Sequence, residues 1–107
     1  MPRLAIFVVA AGLLAGSSSA EPARKPATHT VTIDGARFSP ADLAVRTGDT
    51  VVWVNKDILA HTATAKAGGF DSKVIEPGKS WTLVARKSGE FAYTCSFHPM
   101  NGTLTVR

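Results

Sequence analysis

Hydrophobic and polar residues alternate in short runs from about residue 30 to the end of the chain. In the run 50–55, Val51, Trp53 and Asn55 fall on one side, and Val52 and Val54 fall on the other. A period of two is typical of a β-strand, because successive side chains of a strand point to opposite faces. Turn-forming pairs separate the runs, so each run is predicted to be one strand.

Seven such runs are strongest, and the spacing predicts about eight strands in all. The runs cover residues 30–34, 42–46, 50–55, 61–65, 80–85, 90–95 and 103–107. No apolar stripe with a helical period is long enough to form a crossover helix, which parallel β-α-β units require. The pattern therefore predicts an all-β fold, an antiparallel Greek-key β-sandwich of two sheets.

The first twenty residues have a different pattern, that of an export signal. Met1-Pro2-Arg3 supplies a positive start, residues 4–14 are an apolar run, and Ser18-Ser19-Ala20 offers small residues before a cut at Glu21. The apolar run is shorter than the roughly 20 residues that span a bilayer. We predict a signal peptide at 1–20, a flexible leader at 21–28 and a folded domain at 29–107. The protein would then be periplasmic, without stable membrane insertion.

Charge and cysteine content narrow the function further. The chain has 12 basic and 8 acidic residues, a mild and scattered excess that predicts no nucleic-acid binding. We expect a monomer that meets its partners briefly. Cys95 is the single cysteine, so an internal disulfide is impossible. A lone thiol in an oxidising compartment is open to oxidation, and a bound metal would protect it and add binding energy to the folded state.

Cys95, His98 and Met100 lie within six residues, between two predicted strands. Each of these residue types is usually structural on its own, but their crowding in one loop indicates a metal site. Sulfur ligands together with imidazole favour copper, and electron-transfer copper sites use two histidines, one cysteine and a weak axial methionine. His61, which follows the strand 50–55 and a short loop, is the better candidate for the other histidine. His29, next to the leader, is the weaker one.

Five segments, in this order, make the chain resemble the cupredoxins of the plastocyanin/amicyanin type. They are Trp53–Thr62, Phe70–Ser72, Glu76–Gly78, Gly89–Met100 and Gly102–Val106. The resemblance covers nearly all of the mature chain. It implies an eight-stranded Greek-key sandwich with one type 1 copper ion at one end. It also implies a single-electron carrier that cycles between Cu(II) and Cu(I) and meets redox partner proteins transiently.

The same resemblance implies the metal ligands. His61, Cys95 and His98 would be the equatorial ligands, with Met100 as the axial one. One departure concerns the loop, where only Pro99 separates His98 from Met100, whereas two residues are expected in the family. Met100 would then bind at a longer distance, or give way to the carbonyl of Ala60 or a water.

The neighbours of the ligands also have expected roles. The backbones of Thr62 and Ser96 would tie the two ligand loops together by hydrogen bonds. The family further suggests that the ring edge of His98 reaches the surface as the electron port. An apolar docking rim would surround it, formed by Ile58, Leu59, Phe97 and Pro99.

Three other functions use the same residues. A copper-binding protein for delivery, storage or resistance would differ from a carrier in kinetics rather than in ligands. A thiol enzyme with Cys95 as nucleophile would need a base and an oxyanion site, and no recognisable oxyanion-donor motif is present, so we predict no enzyme. A structural zinc site is the third, since cysteine and histidine also bind zinc.

Overall fold

The computed structural model describes residues 24–107, and the strands within this range agree with the alternating pattern. Eight strands and no helix are found among the described residues: β1 Thr28–Ile33, β2 Phe38–Ser39, β3 Asp42–Val45, β4 Thr50–Asn55, β5 Thr64–Ala65, β6 Ser80–Val84, β7 Gly89–Thr94 and β8 Asn101–Val106. None of the described segments is a helix long and apolar enough to cross a membrane. The predicted signal peptide lies outside the described residues.

The strands form two four-stranded sheets, in the order β2-β1-β4-β6 and β3-β8-β7-β5. Alternate residues of the strands are buried between them, which confirms the all-β sandwich. In β4 the buried residues are Val51, Trp53 and Asn55, the set that the alternation placed on one side. Trp53 and Tyr93 meet edge to face at 5.5 Å in the middle of the core.

Strand direction is where the sequence prediction needs correction, because the sheets are mixed. Strand β1 pairs with β4 in parallel, with Val31 opposite Trp53, and β3 pairs with β8 in parallel. The other four pairs are antiparallel. The expectation of purely antiparallel sheets assumed that parallel neighbours need a helix between them. Here the chain passes through β2 and β3 before β4, so strands and loops provide the crossover.

Several boundaries also differ from the prediction. β1 begins at Thr28, inside the segment predicted as a flexible leader, because its parallel partner β4 holds Thr28 opposite Thr50. The run 61–65 is a strand only at Thr64–Ala65, while His61 forms an isolated bridge with Ile75. β2 was not predicted, since two residues are too few to show alternation.

The two ends of the sandwich carry different chemistry. Strand β4 ends at Asn55, and the loop 56–60 connects it to His61. Strand β7 ends at Thr94, directly before Cys95. These exits bring His61 and Cys95 to one pole, with 3.7 Å between the Nδ1 and Sγ atoms. Asp49 precedes β4 and therefore lies at the opposite pole. We call these ends the copper pole and the Asp49 pole.

Candidate metal centre

Three side chains converge at the copper pole. The Sγ atom of Cys95 lies 3.7 Å from Nδ1 of His61 and 3.9 Å from Nδ1 of His98. The candidate ligand atoms of all three residues lie within 4.8 Å of one another. His61 is fully buried, Cys95 is nearly so, and His98 is partly exposed. The three residues that the sequence singled out as equatorial ligands therefore meet at one place.

The loop before His61 is held by a buried asparagine at the end of β4. The Nδ2 group of Asn55 donates to the carbonyl oxygens of Leu59 at 2.9 Å and Ile75 at 2.8 Å. His61 and Ile75 then exchange two backbone hydrogen bonds. Because the backbone is held at Leu59, two residues before His61, and at Ile75, its bridge partner, His61 has little freedom to leave the site.

The orientation of the His61 ring follows from its second nitrogen. Nε2 lies 2.8 Å from Oδ2 of Asp57. A carboxylate can only accept, so this contact places the proton on Nε2 and leaves the lone pair on Nδ1. That lone pair faces the sulfur of Cys95. The hydrogen bond from Ala36 N–H, followed by the one from His61, lowers the pKa of Asp57 and keeps it ionised.

The Cys95 sulfur is held as a thiolate acceptor. The backbone N–H groups of Thr62 and Phe97 each donate to Sγ at 3.4 Å. Burial raises the pKa of the thiol, but these two donors and the rings of His61 and His98 outweigh it and lower the pKa to about 6. At neutral pH a large part of Cys95 is therefore thiolate, the form that binds metals.

Thr62 and Ser96 join the two ligand loops, as the sequence led us to expect. The N–H of Ser96 donates to Oγ1 of Thr62 at 2.9 Å, and the N–H of Thr62 itself donates to the sulfur of Cys95. The hydroxyl of Thr62 also contacts that of Ser96 at 3.2 Å. Thr62, the residue after His61, thus positions both the backbone of Ser96 and the sulfur of Cys95.

The short loop closes with a tight turn. The N–H of Met100 donates to the carbonyl of His98 at 2.8 Å, a three-residue turn with Pro99 at its centre, where the fixed φ of proline suits it. The hydroxyl of Thr94 donates to the carbonyl of Met100 at 2.6 Å. Met100 is only 2% exposed and packs in the core. The turn shortens the path between His98 and Met100 to the single residue Pro99.

An apolar surface lies beside the site. Ile58 is 87% exposed, Leu59 49% and Phe97 53%, and Pro99 is exposed as well. These are the four residues predicted as a docking rim. None of the four is a core side chain, because a core side chain would lose most of its exposure.

His29, the weaker candidate of the sequence analysis, is at the other pole. Its Nε2 lies 3.0 Å from Oδ2 of Asp49, so it has a partner away from the three converging residues. Asp57 is the residue that sequence reasoning missed. The only signal for it was a carboxylate four positions before His61 in a short loop.

The donor set fits copper. One thiolate and two imidazole nitrogens face one another, and soft sulfur with imidazole is the combination that copper prefers. The sulfur thus has two backbone N–H donors, from Thr62 and Phe97, besides the two ring nitrogens. A cation at this place would offset three mutually close lone pairs.

Comparison with known families identifies the class of protein that this fold and site define. The model of the cupredoxin-like domain family matches residues 4–106, nearly the whole chain, so the chain belongs to the cupredoxin family. A cupredoxin of this type binds one copper ion and carries single electrons with it. The all-β fold and the His-Cys-His cluster agree with that class.

Particular relatives include small cupredoxins. Amicyanin-alpha of Methylorubrum extorquens is 28% identical over 109 residues, which cover 96% of this chain and 92% of that protein. Plastocyanin of Scenedesmus fuscus is 29% identical over 84 residues, 65% of this chain and 86% of that protein. These matches agree with the family to which the sequence segments pointed.

Solved structures give the same fold. A purple cupredoxin from Nitrosopumilus maritimus superposes with a TM-score of 0.67 at 28% identity, over 74% of this chain and 99% of that one. A copper-containing nitrite reductase from Thermus scotoductus superposes with a TM-score of 0.70 at 29% identity, over 89% of this chain but 25% of that one. The fold thus occurs both as a single small protein and as one part of an enzyme.

Proposed function

We propose that the protein is an exported single-electron carrier in which His61, Cys95 and His98 hold one copper ion and Met100 is the fourth ligand. The observation that carries the proposal is the convergence of the Cys95 sulfur with one ring nitrogen of each histidine, all within 4.8 Å of one another. The bound ion would take up and release one electron.

The protein's part is to keep the donors still. Electron transfer is fast when the site changes little between the two oxidation states, and a packed, hydrogen-bonded surround supplies that rigidity. Here the sulfur is held by two backbone donors, and His61 is held by its bridge to Ile75. The groups that hold the sulfur and His61 in these contacts belong to the backbone.

The route for electrons runs through the partly exposed His98. Ile58, Leu59 and Phe97 present apolar surface beside it, and weak redox encounters need only small interfaces. We propose that a redox partner protein docks here briefly and that the ring edge of His98 passes the electron.

Export through a cleaved signal peptide is part of the same proposal. The pattern of residues 1–20 supports a signal peptide cut before Glu21, and the protein would then act in the periplasm. Mass spectrometry of the protein from a periplasmic fraction tests this. A mature chain that starts at Glu21 is the expected result, and a chain that retains residues 1–20 would contradict it.

Histidine variants at the two poles test the ligand assignment. His98→Ala should abolish the intense thiolate–copper absorption, because one of the two imidazole ligands is lost. His29→Ala is the matched control, since His29 is bound to Asp49 and not to the site, and it should keep the absorption unchanged. Full absorption in His98→Ala would show that His98 is not a ligand.

Copper handling is the second candidate function, and it uses the same ligands. The buried His61 and Cys95 favour a site that retains its metal. A carrier should exchange electrons rapidly with a redox dye and hold its copper against a mild chelator. Rapid loss of Cu(I) to the chelator, with slow electron exchange, would instead identify a delivery or storage protein.

A further inference from the structure

The carboxylate of Asp57 lies directly behind the His61 ring, on the side away from the cysteine sulfur. Its Oδ2 is 2.8 Å from Nε2 of His61, and its side chain is 11% exposed. The family comparisons and the sequence motifs assign no role to this residue. Its place suggests that it acts on the metal through His61.

Asp57 is itself held by three backbone contacts. Ala36 N–H donates to Oδ2 at 2.9 Å, Ile58 N–H donates to Oδ1 at 2.8 Å, and the N–H of Asp57 donates to Oδ1 of Asn55 at 2.9 Å. The carboxylate therefore cannot rotate away without losing the bonds from Ala36, Ile58 and His61. A carboxylate fixed in this way also fixes the orientation of the His61 ring, to which it is hydrogen-bonded.

The contact from Ala36 depends on an unusual turn between β1 and β2. Gly35 and Ala36 both have positive φ angles, 59° and 57°, and Asp34 and Arg37 exchange two backbone hydrogen bonds across them. This is the geometry of a two-residue hairpin turn. An alanine is rarely found at positive φ, and here that conformation aims its N–H at Asp57. The turn of a neighbouring strand pair thus supports the group behind His61.

We propose that Asp57 is a positioning residue that fixes His61 with Nδ1 toward the metal and lowers the reduction potential of the site. This inference rests on the proposed function. A carboxylate that accepts from the far nitrogen of a ligand histidine fixes the tautomer and raises the basicity of the ligand nitrogen. Its negative charge also favours the more positive oxidation state, which is Cu(II), because opposite charges attract more strongly inside a protein than in water.

Two substitutions separate orientation from charge. Asp57→Asn keeps an oxygen that can accept from His61 but removes the charge, and Asp57→Ala removes both. Asp71→Asn is the matched control, because Asp71 also accepts a backbone N–H, from Lys73, and a hydroxyl, from Thr64, but does not contact a ligand. Circular dichroism of each variant shows whether the fold is kept.

The reduction potential of the copper-loaded protein is the first measurement. Asp57→Asn should change the ratio of Cu(II) to Cu(I) affinity about tenfold in favour of Cu(I), which is a rise of about 59 mV for one electron. Asp71→Asn should shift it much less. Equal shifts in the two variants would overturn the role of charge, since any lost surface carboxylate would then do the same.

The second measurement follows the ring proton and does not use electron transfer. In ¹⁵N-labelled protein loaded with Cu(I), the His61 Nε2–H signal should be visible and slow to exchange in the wild type. It should stay so in Asp57→Asn and be lost to exchange in Asp57→Ala. Cu(II) affinity should fall about 10- to 100-fold in Asp57→Ala. An unchanged signal and affinity in Asp57→Ala would overturn the positioning role.

The two levels of the proposal fail in different ways. If the wild-type protein gives no thiolate–copper absorption, the proposed function itself is wrong. If the wild type gives that absorption and the Asp57 variants match the Asp71 control, only the role of Asp57 is wrong.

Discussion

The two poles of the sandwich both bury polar groups, but they satisfy them differently. At the Asp49 pole, one carboxylate accepts from Arg24, Ala27, His29 and Arg46, so its oxygens are fully used. At the copper pole, the sulfur of Cys95 and the Nδ1 atoms of two histidines face one another. The first arrangement is complete within the chain, while the second is completed by a cation.

Because of this difference, the two poles contribute to different properties of the protein. Hydrogen bonds to a buried carboxylate stabilise the fold whether or not a metal is bound, and here they fasten residues 24–29 to the start of β4. Electron-pair donors held close together stabilise the folded form mainly when a metal is bound, because a metal that binds the folded and not the unfolded chain shifts the equilibrium toward folding. The Asp49 pole should therefore govern the stability of the apoprotein, and the copper pole should govern metal binding.

Asp49→Asn should have the largest effect on stability. The pKa of Asp49 is held well below its usual range, first by the N–H of Ala27 and then by His29, Arg46 and Arg24. An amide cannot accept all of these donors, so the melting temperature should fall on the order of 10 °C. The visible spectrum of the copper-loaded variant should be unchanged. A changed spectrum would show that the poles are coupled.

The same carboxylate fixes the behaviour in acid. A group whose pKa is depressed by folding adds stability above its ordinary pKa, 3.8 for an aspartate, and loses it as the pH falls through the lower folded value. Wild-type stability should therefore decrease as the pH falls below about 4, and Asp49→Asn should lack this part of the decrease. Urea unfolding at several pH values measures the difference.

Gly102→Ala should have the next largest effect. Gly102 lies opposite Tyr93 in the β7–β8 pair, and an added Cβ would come within 2.6 Å of the Tyr93 hydroxyl oxygen and 2.8 Å of a ring carbon. Overpacking of this kind costs about 1–3 kcal/mol. Because Gly102 follows the Met100 loop, the spectrum should change as well. Unfolding in urea gives the first quantity, and an unchanged urea midpoint would mean that Tyr93 moves freely.

The pH dependence of Cys95 alkylation in the apoprotein measures the protonation of the thiol, and so reports on the copper pole alone. With the pKa lowered to about 6, the rate of iodoacetamide labelling should rise through pH 6 rather than through pH 9. The thiolate should also add stability above its unfolded pKa of 9.0, and this is lost as the pH falls through about 6. Bound copper should block labelling, and labelling at an equal rate with copper would contradict the assignment of Cys95.

Met100→Ala should have the smallest effect on the site. An axial methionine is a weak ligand that tunes the potential rather than holding the metal. The variant should stay coloured, with a shifted reduction potential and some loss of stability from the cavity. Cyclic voltammetry measures the shift. A potential equal to that of the wild type would mean that Met100 is not the fourth ligand.

Much of the fold follows from local pattern. The alternation around Trp53 gave β4 its observed bounds, 50–55, because both ends of the strand coincide with turn residues. The parallel pairs of β1 with β4 and of β3 with β8 did not follow, since strand direction depends on which sheet each connection enters. β2 is held by its pairing with β1 and has too short a pattern to be recognised.

The site divides in the same way. Cys95, His98 and Met100 were recognisable because they are crowded along the chain, and His61 because it follows a strong strand. Asp57 was not, since its role depends on the turn at Ala36 meeting a loop twenty-one residues further along. Contacts that join separate loops leave little trace in a single sequence.

A titration of the apoprotein with Cu(II), followed by visible spectroscopy and then by ascorbate, tests the central claim most directly. One equivalent should produce an intense absorption from Cys95 thiolate to copper, and ascorbate should abolish it reversibly without release of the metal. Binding that gives only the weak colour of copper with nitrogen and oxygen ligands would contradict a site built from His61, Cys95 and His98.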